Sequence, residues 1–365
     1  LVLGHDCDEN GDKMSKSKGN YLDPWEILNE NGADAMRWYF YSSNHPWSSV
    51  RFFKNGVREA QKDFLVRLRN IHQFFALYAN IDGFDPSEGA KDITSFSVAE
   101  LSKAKGYIAA SERPLLDRWI LSKLHSAGKN VAANLEGMNI LDASKELNSF
   151  VDALSNWYVR RSRERFWKNA KDADKWSAYW TLYECLVQAS LMAAPFVPIM
   201  AQALYHRLAS DIFKKLPESV HLHAWPSPEA SSANHDPVIE EQMDLVREIA
   251  SLGLAARASQ KLKVRQPLRE AIAILADPRM LAKVQGFADV ICDEVNVKGL
   301  SFAVDSHKYV TYEVKANFKT LGPRFGKNMK ALADALKQMD AAEVARIAGA
   351  GGSVAVTFGG DTVQL

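Results

Sequence analysis

Three lysines alternate with two serines near the start of the chain, where residues 13–20 read KMSKSKGN. Gly11 and Gly19 bracket the charged residues and can act as hinges. Ammonium and hydroxyl groups at this spacing suit a polyphosphate, because they supply donors where negative charge builds as pyrophosphate leaves. The run is not a Walker-type loop, since G-x-x-x-x-G-K-[ST] does not occur in the chain. We interpret it as a phosphate loop; a solvated lysine turn is the alternative.

The segments on either side of this loop are suited to hold it in place. Residues 1–4 are a short apolar run that predicts the end of a buried strand. After the loop, Asp23 and Pro24 form an N-cap and first helical position, with a glutamate three residues after the cap. The helix is predicted to run to Asn31 and to stop at Gly32. A strand, a basic loop and a capped helix are the arrangement that a phosphate-handling loop needs.

Composition places the chain among globular proteins. Its 365 residues are enough for two or three domains, with 24% charged and 47% hydrophobic residues. No apolar run is long enough for a membrane span, no signal peptide is visible, and three scattered cysteines favour a reducing cytoplasm. A net charge of +1 predicts that any nucleic-acid surface comes from local clustering. The start at Leu1, without an initiator methionine, suggests a fragment.

Apolar residues recur at spacings of three and four through most of residues 52–225, which predicts a helix bundle. Residues 219–225 alternate and predict a short strand or extended segment, and residues 227–237 predict a linker. The helices are expected at 65–78, 116–135, 141–169, 175–194 and 199–209.

The pattern changes after the linker and predicts a small mixed α/β domain. Strands are expected at 271–275, at 300–304 paired with 309–315, and in a closing hairpin of 354–358 with 362–365. Helices are expected at 238–261, near 279–295, at 325–338 and at 341–348.

The most basic cluster lies in residues 156–168, where arginines and a lysine are interleaved with aromatic residues. That mixture suits phosphate contact combined with base stacking. The alternative is a bundle helix whose aromatics are core and whose arginines pair with acids. We expect a mixed arrangement, in which Tyr158 and Phe166 pack and some arginines face RNA. On a regular helix Trp157, Arg161, Arg165 and Lys168 share one face, and the candidate RNA contacts are Trp157, Arg160, Arg161, Arg163, Arg165 and Lys168.

Two further basic patches follow. Lys261, Lys263 and Arg265 end a predicted helix before Pro267, where RNA contact and a favourable effect on the helix dipole are equally good explanations. Lys319 and Arg324 surround a predicted turn at Gly322–Pro323, for which a solvated loop is slightly favoured over RNA contact. None of the nine histidines has metal-ligand spacing, so no metal site is expected in this chain.

Together these motifs resemble the class I aminoacyl-tRNA synthetases, and among them the isoleucyl-tRNA synthetases. KMSKS alone indicates only class I; the stretch from Gly32 to Arg37 narrows the resemblance to the isoleucyl, valyl and leucyl group. The motifs at 156–167, 263–268 and 317–329 resemble the eukaryote-like branch. The segments that carry the resemblance are KMSKSKGN at 13–20, DPWEILNENGADAMRWYF at 23–40, DRWILSKL at 117–124, NWYVRRSRERFW at 156–167, KVRQPL at 263–268 and NFKTLGPRFGKNM at 317–329.

The resemblance implies a mainly α chain with four parts. Residues 1–50 would be the C-terminal end of a Rossmann-like catalytic domain, and residues 51–226 a helical anticodon-binding domain. Residues 227–237 would be a linker, and residues 238–365 a C-terminal α/β domain. The amino-terminal half of the active site and the editing domain would lie outside this chain, so the chain alone is not expected to be active.

The implied activity is ATP-dependent joining of isoleucine to its tRNA through an aminoacyl-adenylate, with Mg²⁺ accompanying ATP. Lys13 and Lys16 match the phosphate-contacting lysines of the family. A cytoplasmic monomer is expected. The alternatives are a valyl-tRNA synthetase and a stand-alone tRNA-binding module, although a pure binder has no need for the loop. The ATP-binding residues implied are Lys13, Met14, Ser15, Lys16 and Ser17.

Overall fold

The protein is described here by a computed structural model that covers residues 3–226, 234–275, 277–303, 313–349 and 351–365. The chain divides into two compact units, Leu1–Glu241 and Gln242–Leu365. The first is mainly helical and the second combines helices with strands, as the sequence predicts, and each is described by itself.

The first unit begins with a two-stranded parallel sheet, in which β1 (Asp6–Cys7) pairs with β2 (Val50–Arg51). The strand therefore starts after the predicted 1–4 segment, of which residues 1–2 lie outside the described part of the chain. Gly4 is required where the chain approaches β2, since a Cβ there would lie 2.0 Å from the carbonyl oxygen of Ser48. Helices α1 (Pro24–Asn31) and α2 (Ala33–Ser43) connect the two strands.

The predicted start and end of α1 are confirmed. The Asp23 carboxylate accepts a hydrogen bond from the backbone N–H of Trp25 at 2.9 Å, and Pro24 occupies the first helical position. Gly32 ends the helix with φ of 86°, a conformation that residues with a side chain rarely adopt.

The rest of the first unit is the predicted helix bundle. Three segments of π-helix interrupt or extend its described helices: Lys62–Val66 joins α3 to α4, Ala153–Val159 joins α7 to α8, and His206–Ser210 follows α10. The helices are α3 (Lys54–Gln61), α4 (Arg67–Asp82), α5 (Val98–Leu101), α6 (Leu115–Glu136), α7 (Ile140–Asp152), α8 (Arg160–Trp167), α9 (Ala173–Ala193) and α10 (Pro198–Tyr205).

Helix α9 is the centre of the bundle, and 17 of its 21 residues are buried. It packs against α4, α6, α8 and α10, so it has little face left for solvent. Its core side chains include Tyr179, Trp180 and Tyr183, all at most 1% exposed. Because α9 is enclosed, charged residues on it and on its neighbours must find partners inside the protein.

One buried charge network joins three helices. Asp117, in the first turn of α6, is fully buried. Both of its oxygens accept hydrogen bonds from Arg165 on α8 at 2.7 Å, and Oδ1 also accepts one from the Tyr158 hydroxyl at 2.5 Å. Arg165 further donates to the backbone carbonyl of Asp174 at 2.8 Å. Burial and the neighbouring Asp117 raise the pKa of Tyr158 well above its ordinary value, so Tyr158 remains a donor.

Two more buried ion pairs hold α9. Arg113 lies before α6 and donates to Glu184 at 2.6 Å, with side-chain exposures of 0% and 8%. Lys175 lies 2.6 Å from Asp82, at the end of α4, and Tyr179 also donates to Asp82. Burial alone would raise the pKa of Asp82, but the hydrogen bonds from Lys175 and Tyr179 outweigh it and lower the pKa.

Helix α2 is fixed to the turn between α9 and α10 by two charged side chains. Asp34 is buried and accepts from the backbone N–H groups of Ile199 and Met200 at 3.3 and 2.6 Å, which caps the start of α10. Arg37 donates to the carbonyls of Pro195 and Phe196 at 2.9 and 3.1 Å. Charged partners thus satisfy polar groups at both helix ends of this turn.

The buried indole of Trp38 adds apolar contact to the same junction. It stacks on Phe64 with ring centroids 3.7 Å apart and meets Phe196 edge-on at 5.8 Å. The segment that follows the phosphate loop is therefore packed directly on the bundle.

Residues 219–225 do not form the predicted strand. Val220–Leu222 is a 3-10 turn instead. The side-chain oxygen of Gln202 accepts from the N–H of Val220 and from the hydroxyl of Ser219, at 2.9 and 2.8 Å. A side chain rather than a neighbouring strand therefore satisfies this backbone, and alternation over so few residues was too weak a signal for a strand.

The second unit contains a βαβ arrangement. Helix α11 (Pro237–Ser259) begins in the first unit and is followed by β3 (Ala271–Ile274), α12 (Pro278–Val284), α13 (Ala288–Val295) and β4 (Leu300–Ala303). Strands β3 and β4 are parallel, with Ala271 opposite Leu300. The predicted pairing of 300–304 with 309–315 was therefore wrong in its described part, since residues 313–315 are not a strand; residues 304–312 lie outside it.

A small core completes the unit, formed by α14 (Phe318–Phe325), α15 (Met329–Gln338), α16 (Ala341–Gly349), β5 (Ala355–Phe358) and β6 (Asp361–Gln364). Strands β5 and β6 form the predicted antiparallel hairpin. The predicted turn at Gly322–Pro323 was wrong, because both residues lie inside α14 and the chain turns at Gly326. Because Pro323 has no N–H to donate to the carbonyl four residues earlier, this two-turn helix forgoes one internal hydrogen bond.

We predict that Arg165→Met destabilises the first unit by about 3–5 kcal/mol, because it leaves the Asp117 carboxylate buried without its guanidinium. All nine tryptophans lie within residues 25–225, so urea unfolding followed by tryptophan fluorescence reports on this unit alone. Lys145→Ala is the control: it breaks an exposed pair with Asp142, and we expect a loss of about 0–1 kcal/mol. Equal losses from the two variants would contradict the prediction.

We also predict that the first unit loses stability as the pH falls below about 4, the ordinary pKa of an aspartate. The pKa of Asp82 is lower in the folded protein, so its contribution is present above the unfolded pKa and is lost as the pH falls through the folded pKa. Asp82→Asn removes this contribution and should give a thermal midpoint that declines less between pH 5 and pH 3. Parallel declines for parent and variant would refute this origin of the acid sensitivity.

Candidate functional site

The phosphate loop leaves β1 and is tied back to it by backbone contacts. The N–H of Met14 donates to the carbonyl of Asp6 at 3.0 Å, and Cys7 and Lys13 form an antiparallel bridge. Residues Lys16–Lys18 form one 3-10 turn, which ends at Gly19 with φ of 72°. The loop is therefore a short excursion with fixed ends rather than an open coil.

Asn20 and Asp8 organise the loop from inside. The Asn20 side chain accepts from the N–H of Ser15 at 2.9 Å and donates to Asp8 Oδ2 at 3.0 Å. The other Asp8 oxygen accepts from the N–H groups of Asn10 and Asp12, both at 3.0 Å. The hydrogen bond from Asn20, with those from the backbone, lowers the pKa of Asp8. Neither residue was predicted from the sequence, although Asn20 is the last residue of the KMSKSKGN run.

The three lysines of the loop are exposed, and the loop's hydroxyls face each other. Ser15 and Ser17 have their Oγ atoms 2.8 Å apart. The Lys16 ammonium lies 5.4 Å from the ring centroid of Tyr21, which is within cation–π range and holds the Lys16 side chain beside this ring. The arrangement presents ammonium groups and two hydroxyls to solvent on a braced turn, as the binding of a polyphosphate would require.

Metal ligands are a separate matter. Among the described residues, no group of three or more histidine, cysteine or acidic side chains is placed to hold a metal ion. In the same part of the chain, no helix has the length and apolar character needed to cross a membrane.

Helix α8 presents a different face to solvent from the one that the sequence analysis chose. The buried side carries Tyr158, Ser162 and Phe166, and Phe166 packs on Phe74 with ring centroids 5.1 Å apart. Tyr158 and Phe166 therefore pack as expected. On the opposite side, Arg160, Arg163 and Trp167 are exposed, at helical spacings of three and four. We call these three residues the outer face of α8.

The remaining candidates in this cluster are engaged within the bundle to different degrees. Arg165 is held by Asp117 and Asp174, and its side chain is 15% exposed. The Lys168 ammonium lies 2.8 Å from both Asp172 and Asp174. Trp157 and Arg161 are half-buried. Of the six predicted contacts, the exposed ones are Arg160 and Arg163, and Trp167 joins them although it was not among the six.

The C-terminal candidates lie in the second unit and are all exposed. Lys263 and Arg265 lie in the loop after α11, which ends at Ser259 before the predicted position. Lys319 and Arg324 lie on α14, where the Arg324 guanidinium is 5.4 Å from the ring of Phe325. The patches are thus available to a ligand, although the local structure of the second is a helix and not a turn.

Comparison with known proteins identifies two family segments. Residues 1–50 match the family described as "tRNA synthetases class I (I, L, M and V)", and residues 117–272 match "Anticodon-binding domain of tRNA ligase". The first contains the phosphate loop, and the second contains α8.

Curated relatives match along the whole chain. The isoleucine–tRNA ligase of Clostridium novyi (strain NT) is 41% identical over 100% of this chain and 33% of its own length, and that of Clostridium acetobutylicum is 40% identical over the same shares. An isoleucine–tRNA ligase 2 of Bacillus cereus is 39% identical over 94% of this chain and 30% of its own length. The chain thus spans about a third of the length of these relatives.

Among solved structures, a ternary complex of Agrobacterium radiobacter K84 agnB2 LeuRS with tRNA and LeuAMS aligns with 62% of this chain and 23% of that chain. The TM-score is 0.44 and the identity is 20%, and no inference rests on so weak a likeness. The sequence relatives and family segments agree: the chain is similar along its whole length to isoleucine–tRNA ligases, and two of its segments match class I tRNA synthetases and the anticodon-binding domain of tRNA ligases.

Proposed function

We propose that the protein containing this chain joins isoleucine to its tRNA in an ATP-dependent reaction, through an isoleucyl-adenylate. The observation that carries the proposal is a braced phosphate loop in the same chain as a segment that matches the anticodon-binding domain of tRNA ligases. The whole chain aligns with about a third of the length of isoleucine–tRNA ligases. A valyl-tRNA synthetase or a stand-alone tRNA-binding module is not favoured, because the relatives described above are isoleucine–tRNA ligases.

In this reaction the loop would contact the triphosphate of ATP. Lys13 and Lys16 would stabilise the charge that develops as pyrophosphate leaves, and Met14, Ser15 and Ser17 would line the same contact. Mg²⁺ would arrive with the phosphates of ATP. The fixed bonds of Asn20 hold the loop in one conformation, which lowers the cost of ordering it around the nucleotide.

The tRNA would meet the outer face of α8, where two guanidinium groups flank an indole that is 54% exposed. Guanidinium groups suit phosphates, and an exposed indole suits stacking on an unpaired base. The patches at Lys263 and Arg265 and at Lys319 and Arg324 would add phosphate contacts. Among the first predicted residues, Arg165 and Lys168 would act instead by holding α8 in place.

We also propose the assignment of domains that the resemblance implies. Residues 1–50 would end the catalytic domain, residues 51–226 would bind the anticodon, and residues 227–237 would link them to the C-terminal domain at 238–365. The eukaryote-like branch, a monomeric state and a cytoplasmic location belong to the same proposal; the first is supported by the motifs at 263–268 and 317–329.

We predict that Lys16→Ala in the full-length protein slows adenylate formation about 10²- to 10³-fold, with a smaller effect on isoleucine binding, because the interaction it removes is strongest in the transition state. Pyrophosphate exchange into ATP that depends on isoleucine measures the step. Lys18→Ala is the matched control, since it removes an exposed lysine from the same 3-10 turn. Equal and small effects of both variants would mean that the loop is a surface turn.

We predict that Arg160→Glu/Arg163→Glu weakens tRNA binding by this chain and flattens its salt dependence by about one unit of log–log slope for each arginine. Trp167→Ala should cost about 1–3 kcal/mol if one base stacks there, and this cost should persist at high salt. Binding is measured by salt titration with matched and unmatched tRNAs, and circular dichroism checks that each variant keeps its helix content.

The control for this experiment is Arg279→Glu/Arg346→Glu. It makes the same change in net charge at two exposed arginines of the second unit, each paired with a nearby acid. If the two double variants weaken binding equally, the effect is one of overall charge and the outer face of α8 is not the contact.

A further inference from the structure

Residues 261–269 form the most concentrated run of positive charge in the described part of the second unit. This stretch, KLKVRQPLR, holds four cationic residues and no acidic one in a chain whose net charge is only +1. Lys261, Lys263, Arg265 and Arg269 are all exposed. Like charges held close together repel each other, so their concentration in one rigid loop calls for a ligand that offsets the repulsion.

The loop is held by a buried side chain from the preceding helix. Arg257, near the end of α11, is only 3% exposed. Its guanidinium donates to the backbone carbonyls of Lys263 and Gln266 at 3.2 and 3.0 Å, and to that of Asn296 at 2.7 Å. One planar group thus connects the loop to the end of α13.

Asn296 completes the support from the other side. It adopts the left-handed conformation with φ of 53°, and its side-chain amide donates to the carbonyl of Val264 at 2.7 Å. Its own carbonyl accepts from the N–H of Leu268 at 3.1 Å, and the N–H of Lys298 donates to the carbonyl of Leu268 at 2.9 Å. Lys298 is exposed, so a fifth cation joins the edge of the loop.

We propose that Arg257 is a positioning residue, which holds the backbone of residues 261–267 so that the exposed cations of this loop meet consecutive phosphates of an RNA backbone. Arg257 touches no RNA itself. Two of its hydrogen bonds go to loop carbonyls and a third goes to Asn296, so the loop needs less ordering when it binds. The inference rests on the proposed tRNA-binding function and deepens it, since it names the second unit's phosphate surface and the residue that forms it.

The test compares the salt dependence of binding of isoleucine tRNA by the whole 365-residue chain and its variants. Lys263→Ala/Arg265→Ala should flatten the log–log slope by about two units, one for each cation removed. Arg257→Lys should flatten it by at least half as much although the net charge is unchanged, because an ammonium cannot reach three carbonyls that a guanidinium spans. In the Lys263→Ala/Arg265→Ala background, Arg257→Lys should flatten the slope less than it does in the parent, because two of the cations that it positions are already gone.

Two more variants separate positioning from general stability. Leu332→Ala removes a fully buried side chain from the small core of the same unit, which should lower the thermal stability of that unit while Arg257, Asn296 and the loop keep their side chains. Its salt slope should equal that of the parent. Asn296→Gly keeps the left-handed backbone accessible but removes the bond to Val264, and it serves if Arg257→Lys does not fold.

The outcomes are distinct. The proposal is overturned if Lys263→Ala/Arg265→Ala binds with the parent's slope, or if Arg257→Lys and Asn296→Gly both keep that slope. It is also overturned if Leu332→Ala flattens the slope as much as Arg257→Lys, because the effect would then be one of stability. A parent chain that binds no isoleucine tRNA at low salt overturns the proposed function as well, whereas unchanged slopes in variants of a parent that binds overturn this inference alone.

Discussion

The enclosure of α9 is the constraint on which the first unit depends. A helix buried on nearly every side leaves no solvent for charged groups beside it, so each of them needs an opposite charge with good geometry. The pairs Asp117–Arg165, Glu184–Arg113 and Asp82–Lys175 meet that need from three different elements. These pairs fix where the surrounding helices can lie, because a shift of any one of them would leave a buried charge alone.

The same constraint divides the arginine-rich helix into two roles. One of its arginines is needed inside to neutralise Asp117, while two others point away from the bundle together with an indole. Under the proposed function, this basic helix is structural on one face and binds RNA on the other, and the division is set by what lies under each face. For a nucleic-acid surface, the count of cations on a helix overstates the number that reach the ligand.

Long helices could be predicted from the sequence because their apolar spacing persists over many residues, as in Leu147, Val151 and Leu154. The more exposed face of α8 could have been predicted, since Tyr158 and Phe166 were expected to pack and the residues opposite them are Arg160, Arg163 and Trp167. Other features had no local signal. The parallel pairing of β3 with β4 depends on residues about thirty positions apart, and the bond of Gln202 to Val220 depends on the fold itself. In the loop, the lysines could be predicted as phosphate ligands from their charge. Asn20 and Asp8 support the loop through a hydrogen bond that only the folded structure shows.

The attachment of α2 has a consequence for movement. Asp34 and Arg37 fasten the helix after the phosphate loop to the α9–α10 turn, and Trp38 seals the same junction. The support on one side of the loop is thus continuous with the body that carries α8. A change in the position of the loop's lysines then needs no rearrangement of that body. Movement of Lys16 and Lys18 can be absorbed within the loop by rotation at Gly19, whose φ of 72° ends the 3-10 turn, while Lys13 stays bridged to Cys7. Under the proposed function, adjusting to a nucleotide is therefore mechanically separate from holding an RNA.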